Sequence, residues 1–187
     1  MPPKVRITRD EILDTAIQLI RRDGVEACNA RSVAAALHCS TQPVFSNFAT
    51  MNELKQAVIL RANEIYLARQ KDAMKKGDFP PYKASGMAYI RFAQEDRQLF
   101  RLLFMRDRKT ENQEEHSEEL LSMYALVRQK LGLSPEDAQY FHLEMWVYVH
   151  GIASMIATNY LPWDWEMISR MLTDQYQAMA KHYTHKE

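Results

Sequence analysis

Only five glycines interrupt the 187 residues. Three of them, Gly24, Gly77 and Gly132, stand directly after long stretches of helix-favouring residues. Those stretches are built from Ala, Leu, Met, Glu, Gln, Lys and Arg. A glycine just past the last turn is the usual way to end a helix. Nothing reads as a clear run of alternating strand residues. The chain is therefore expected to be all-α.

The helix starts are written as clearly as the stops. Thr8 with Glu11 forms a capping box, and a first helix is expected over Arg9 to Asp23, with Ile12, Ala16, Leu19 and Ile20 on one face. Asn29 caps a short second helix, about Ala30 to Leu37, with Val33, Ala34 and Leu37 inward. A third, from Thr41 to about Asn47, takes Ser40 as its cap. That puts Pro43 at the third helical position, where its missing amide has no partner inside the helix. Thr50 and Glu53 form a second capping box before a long helix, about Met51 to Lys76. "DFPPY" breaks the chain. Further helices are expected near 83–94, 96–106 and 114–131, then from Pro135 (capped by Ser134) to about Asn159, and from about Trp163 to His182. Between them "KTENQEEHSEE" reads as a solvated acidic face or loop. We expect an N-terminal domain over residues 1–55 and a second over 56–187.

Composition rules out several classes. Lys and Arg number 24, as do Asp and Glu, so overall charge announces no nucleic-acid partner. Hydrophobic residues reach 47%, enough for a buried core. No apolar run is long enough to span a bilayer. Two cysteines, Cys28 and Cys39, make no disulfide framework, and with no secretory signal they fit the cytoplasm. His142 and His150 lie eight residues apart, about 80° around a helix, so no metal site is expected. No Walker loop, nucleophile elbow or zinc-spaced cluster occurs, so neither an enzyme nor a cofactor is expected.

Two short helices joined by a tight turn, after a longer one, form a helix-turn-helix pattern. The fold expected is an N-terminal helix-turn-helix three-helix domain plus a C-terminal helical bundle domain. In such units the second short helix enters the major groove and reads base edges from its N-terminal part. Val44 and Phe48 sit four apart and can anchor that helix. Thr41, Gln42 and Pro43 are then left at its exposed leading end. Gln pairs with adenine, and Thr and Pro offer apolar contact to a thymine methyl. Phosphate donors are sought among Lys4, Arg6, Arg9, Arg31, Lys55, the Ser46 and Asn47 side chains, and the first amides of the long fourth helix.

The stretch "ILDTAIQLIRRDGVEACNARSVAAALHCSTQPVFSNFATMNELKQAV" resembles the N-terminal domain of the TetR family of transcriptional regulators. The spacing that carries the resemblance is Gly24, then Arg31 and Val33-Ala34, then Ser40, Val44, Phe45 and Phe48, then Glu53-Leu54. "WVYVHGIASMI" resembles a Trp–His–Gly pattern in one group of the family's C-terminal domains. The resemblance implies a dimeric regulator that binds inverted-repeat operator DNA through its first domain. It also implies that the second domain dimerises and takes a small effector. In that light the chain reads as a repressor released by an apolar or amphipathic molecule. The family often has Gly where His38 stands, Lys-Gly for Thr41-Gln42, Tyr for Phe45, His for Asn47 and Lys for Met51. Several of these changes remove phosphate donors. The alternative reading is an all-helical dimeric interaction protein with weakened or lost DNA binding.

In the C-terminal half, Phe141, Met145, Val149, Ile152 and Ile156 recur at helical spacing, as do Ile168, Leu172, Met179 and Tyr183. The last two helices suit pairing across a twofold axis, with Ile152 in the patch and Gly151, Ser154 and Ala157 giving a thin surface. The candidate effector lining is Phe92, Phe100, Phe104, Met123, Tyr124, Trp146, His150 and Met155. Each is equally a candidate for a filled core.

Overall fold

In a computed structural model of the chain, residues 7–107, 118–160 and 162–185 are described. Their regular structure is helical throughout, with no strand among them. The α-helices are α1 (Arg9–Asp23), α2 (Ala30–Ala36), α3 (Gln42–Asn47), α4 (Met51–Lys76), α5 (Pro81–Glu95), α6 (Arg97–Phe104), α7 (Glu118–Leu131), α8 (Pro135–Ala157) and α9 (Trp165–Thr184). Most of the acidic stretch expected between α6 and α7 lies outside the described residues.

The caps account for most of these boundaries. At α1 the Thr8 hydroxyl accepts the Glu11 amide at 3.2 Å, and the Glu11 carboxylate accepts the Thr8 amide at 2.7 Å. Gly24 ends the helix at φ 88, with its own amide on the Ile20 carbonyl. At α4, Thr50 accepts the Glu53 amide, but the Glu53 carboxylate accepts from Ala49 at 2.8 Å, one residue earlier than a regular capping box. Ser134 and Asp164 cap α8 and α9 through the amides of Asp137 and Met167.

Several boundaries shift from expectation by one or two residues, and two of the shifts have a visible cause. The cap of α3 is Thr41, not Ser40. Pro43 has no amide to give, and the Phe45 amide bonds back to the Thr41 carbonyl at 3.2 Å, so the helix begins one residue later. The last helix starts after Asp164, whose carboxylate takes the Met167 amide at 2.7 Å.

Packing divides the chain into two compact units. The first takes in the chain up to Leu67 together with Asp96–Arg106. It thus reaches beyond residue 55, into α4, and takes α6 from much later in the sequence. Its core holds Ile12, Ala16, Ile17, Ile20, Val33, Val44, Phe48 and Leu54. α6 packs on α1, burying Leu99, Phe100, Leu102 and Leu103. Asp96 and Arg21 join them through two bonds, Nε–Oδ1 at 2.7 Å and Nη2–Oδ2 at 3.0 Å. The second unit holds Ala68–Glu95 and the chain from Asp107 onward. There α8 packs against α5, α7 and α9. Phe141, Met145, Val149, Ile152 and Ile156 are buried, as the spacing predicts, and so are Ile168, Leu172, Met179 and Tyr183.

Candidate nucleic-acid interface and effector residues

The turn between α2 and α3 reverses the chain within a few residues. His38 takes φ 52, the left-handed region that glycine fills most easily. The His38 amide bonds to Ala35 at 3.1 Å and the Cys39 amide to Ala34 at 2.9 Å. These bonds satisfy carbonyls that the end of α2 would leave open. Val44 and Phe48 are each 1% exposed and fix α3 to the core. Gln42, Phe45 and Ser46 face out, while Thr41 and Pro43 are half-buried. Phe45 stands out most, a phenyl ring 47% exposed on the helix surface.

The expected phosphate donors separate into two groups. Arg31 on α2 and Lys55 on α4 are exposed and make no ion pair with a described residue. Arg9, Ser46 and Asn47 instead turn their donors onto the protein. Arg9 Nη1 donates to the Asn47 carbonyl at 2.8 Å and lies 3.2 Å from Glu53, and the guanidinium sits 4.0 Å over the Phe48 ring. Asn47 Nδ2 donates to the carbonyls of Pro43 at 2.9 Å and Ile7 at 3.3 Å. The Ser46 hydroxyl donates to the Gln42 carbonyl at 2.9 Å. Glu53 also occupies the start of α4, where a phosphate was expected to meet free amides. The Ala49 amide, and then Arg9, hold its carboxyl below the ordinary value, so it stays ionised. Lys4 and Arg6 lie outside the described residues.

The effector candidates are divided between the two units. Phe100 and Phe104 belong to the first unit, where Phe104 packs edge-on against Tyr66 at 5.2 Å and against Phe100 at 5.3 Å. The others lie in the second unit. Phe92 and Met123 are buried, Tyr124 and His150 half-buried, and Trp146 and Met155 exposed. Trp146 stacks on His150 with centroids 5.0 Å apart. Both His150 nitrogens are already engaged, Nδ1 with the Tyr89 hydroxyl at 2.8 Å and Nε2 with the Ser154 hydroxyl at 3.3 Å. Burial lowers the pKa of this imidazole.

A second imidazole cluster was missed. Tyr82 on α5 places its hydroxyl 3.0 Å from Nδ1 of His142 on α8. Tyr124 meets the same imidazole edge-on at 5.4 Å. Tyr82 also packs on Phe141 and Tyr176. Burial pushes the His142 pKa down to about 4, and pushes the Tyr82 phenol far above its ordinary value. The imidazole is thus neutral at pH 7 and shares a hydrogen bond with the Tyr82 hydroxyl. No local motif links two residues 60 positions apart. The only sign in the sequence was that each lies on a helix with an apolar face.

Residues 82–178, just over half of the chain, match the family model described as Tetracyclin repressor-like, C-terminal domain. A helix-turn-helix head followed by this domain defines a class of DNA-associated regulators. The chain belongs to the TetR family of transcriptional regulators. No curated protein matches it. Among solved structures, it is similar to a TetR-like transcriptional regulator from Rhodococcus sp. RHA1, at 15% identity and TM-score 0.66, covering 95% of this chain and 96% of that one. It is also similar to the multidrug binding protein EbrR complexed with imidazole, at 21% identity and TM-score 0.61, covering 89% of this chain and 88% of that one. A TetR variant from Acinetobacter baumannii AYE in complex with minocycline is similar at 15% identity and TM-score 0.61, covering 94% and 96%. At these identities the likeness speaks for the fold: a helix-turn-helix domain followed by a helical domain. Among the described residues, no helix is long and apolar enough to cross a membrane.

Proposed function

We propose that the chain is a homodimeric repressor that reads an inverted-repeat operator through α3 and releases it when a small apolar or amphipathic molecule binds. The observation that carries the reading is the orientation of α3. Val44 and the cap residue Phe48 are buried, Phe45 is left on the surface, and Gln42 is exposed at the leading end. Its six residues span about 9 Å, which suits a major groove about 12 Å wide. Gln42 is the base reader, while Arg31 and Lys55 supply phosphate contacts. The small molecules named for EbrR and for the Acinetobacter protein support an effector here, as does the Trp146–His150–Gly151 run as a mark of the Trp–His–Gly type.

The dimer surface we assign is an exposed stripe on α8. Tyr140, Leu143 and Val147 are 53%, 51% and 57% exposed, at spacings of three and four. Gly151 continues the stripe, and nothing lies within 4 Å of where its Cβ would be. Ile152 and Ala157, expected in this patch, instead face the interior at 4% and 0% exposure. A twofold dimer needs such a self-complementary strip and matches an inverted-repeat site.

The test is selection of bound duplexes from a random pool, which should return a palindrome. Gln42→Ala should then relax one position in each half-site at a cost of about 1–3 kcal/mol. Arg31→Ala should weaken all sequences alike and flatten the salt dependence. A second reading, an interaction protein without strong DNA binding, is favoured by the inward donors of Arg9, Ser46 and Asn47. It predicts that selection returns no motif.

A further inference from the structure

We infer that Arg9 is the positioning residue of the reading helix, clasping the end of α3 to the starts of α1 and α4 rather than holding phosphate. The inference rests on the DNA-reading role proposed for α3.

A helix of six residues cannot hold its own shape, because nucleation costs more than so few bonds return. Its direction must be set from outside. At the front, Val44 does this by burial. At the back, the last carbonyls have no partner within the helix. Arg9 supplies one, donating to Asn47 O at 2.8 Å and bringing a positive charge to the negative helix end. The same guanidinium lies 4.0 Å over Phe48, the residue that ends α3 and anchors it. The contact is reciprocal, since Asn47 Nδ2 reaches the Ile7 carbonyl just before α1.

Glu53 completes the clasp. Its Oε1 lies 3.2 Å from Arg9 Nη1, and its Oε2 accepts the Ala49 amide at 2.8 Å. One carboxylate thus ties the guanidinium to the link between α3 and α4. Nη1 alone meets both the carbonyl and the carboxylate while the flat guanidinium lies over the ring, a face that a lysine ammonium lacks. The carboxylate beside Arg9 also repels a DNA phosphate from this spot. A side chain facing the groove turns with its helix, so a loose clasp would scatter Gln42 over the bases.

The experiment uses the full-length protein, Arg9→Lys and Glu53→Gln. Affinity for the selected operator and for a non-specific duplex is measured across a salt series. Amide hydrogen exchange of Phe45 and Phe48 is followed in the absence of DNA. Positioning predicts that each variant binds operator roughly tenfold more weakly. Non-specific affinity should be unchanged in Arg9→Lys and no lower in Glu53→Gln, with the salt slope kept. The two α3 amides should exchange roughly tenfold faster while α1 amides do not. A phosphate role predicts the reverse sign at Glu53, because removing the competing carboxylate would tighten binding to both DNAs. That result, or unchanged exchange in both variants, overturns the inference. If the unmodified protein selects no sequence, the DNA-reading proposal fails, and exchange alone still decides whether Arg9 holds α3.

Discussion

In the first unit, ion pairs are among the polar bonds that join distant helices. Arg21 meets Asp96 through two bonds, and Arg9 meets Glu53. In the second unit, bonds beside the candidate effector residues pair the Tyr82 and Tyr89 hydroxyls with the imidazoles of His142 and His150. Burial makes protonation of these imidazoles costly. The contacts around His142 and His150 are therefore the ones placed to sense mild acid. The surfaces differ as well. The head shows polar side chains around one exposed ring, while α8 shows an apolar stripe.

The sharpest way to break this contrast lies on α8 itself. Ile152→Glu should unfold the second unit, because it buries an unpaired charge at a cost above about 4 kcal/mol. Val147→Glu should leave the monomer fold intact, yet abolish dimers in light scattering. If Val147→Glu stays dimeric, the stripe is not the interface.

Next comes Asp96→Ala. It leaves Arg21 half-buried without its carboxylate and should cost about 3 kcal/mol, the low end for breaking a buried pair. Thermal denaturation followed by circular dichroism measures it. A loss under about 1 kcal/mol would mean that α6 is held to α1 by its apolar face alone.

The third is pH. His142 has a pKa near 4 when folded, against an ordinary value of 6.5. Between these values the unfolded chain binds the extra proton and the folded one does not. Stability is therefore full above pH 6.5 and falls as pH drops toward 4, by up to about 1.4 kcal/mol per unit. His150, also lowered, acts in the same direction. Urea unfolding at pH 7 and pH 4.5 should show a loss on the order of 2 kcal/mol, reduced in His142→Gln. An equal loss in that variant would place the sensitivity elsewhere.

The smallest effect belongs to Gly151→Ala. The new methyl meets nothing within the chain, and alanine favours helix by about 1 kcal/mol. The monomer should gain up to that amount. If the stripe packs closely on its partner at this glycine, dimer dissociation should become easier at the same time.

Much of the fold was legible because its signals are local. Thr8 and Gly24 bracket α1, and Lys76 is the last residue of α4, as their caps and glycines suggest. The apolar spacings of α8 and α9 named their buried residues. What was not legible depends on partners far along the chain. Arg9 resembles a phosphate donor until Asn47 and Glu53 are seen beside it. Ile152 and Val147 are equally apolar, and α8 carries apolar residues on several faces, so periodicity alone did not say which one stays outside. Phe100 and Phe104 read in the sequence as residues that could line a cavity between the middle helices. Packing places them in the first unit.

That placement sets an order of events during synthesis. The ribosome delivers α1, α2 and α3 early, but their companion α6 emerges only after α5 has been made. At about 5–20 residues per second, the wait between Leu67 and Arg106 is on the order of seconds. Over that interval the part of α1 that α6 covers has no native cover. A truncated product ending at Leu67 would carry the whole reading helix and still lack the floor beneath α1. Messages broken between those two points would thus yield chains suited to chaperones and proteases rather than to DNA.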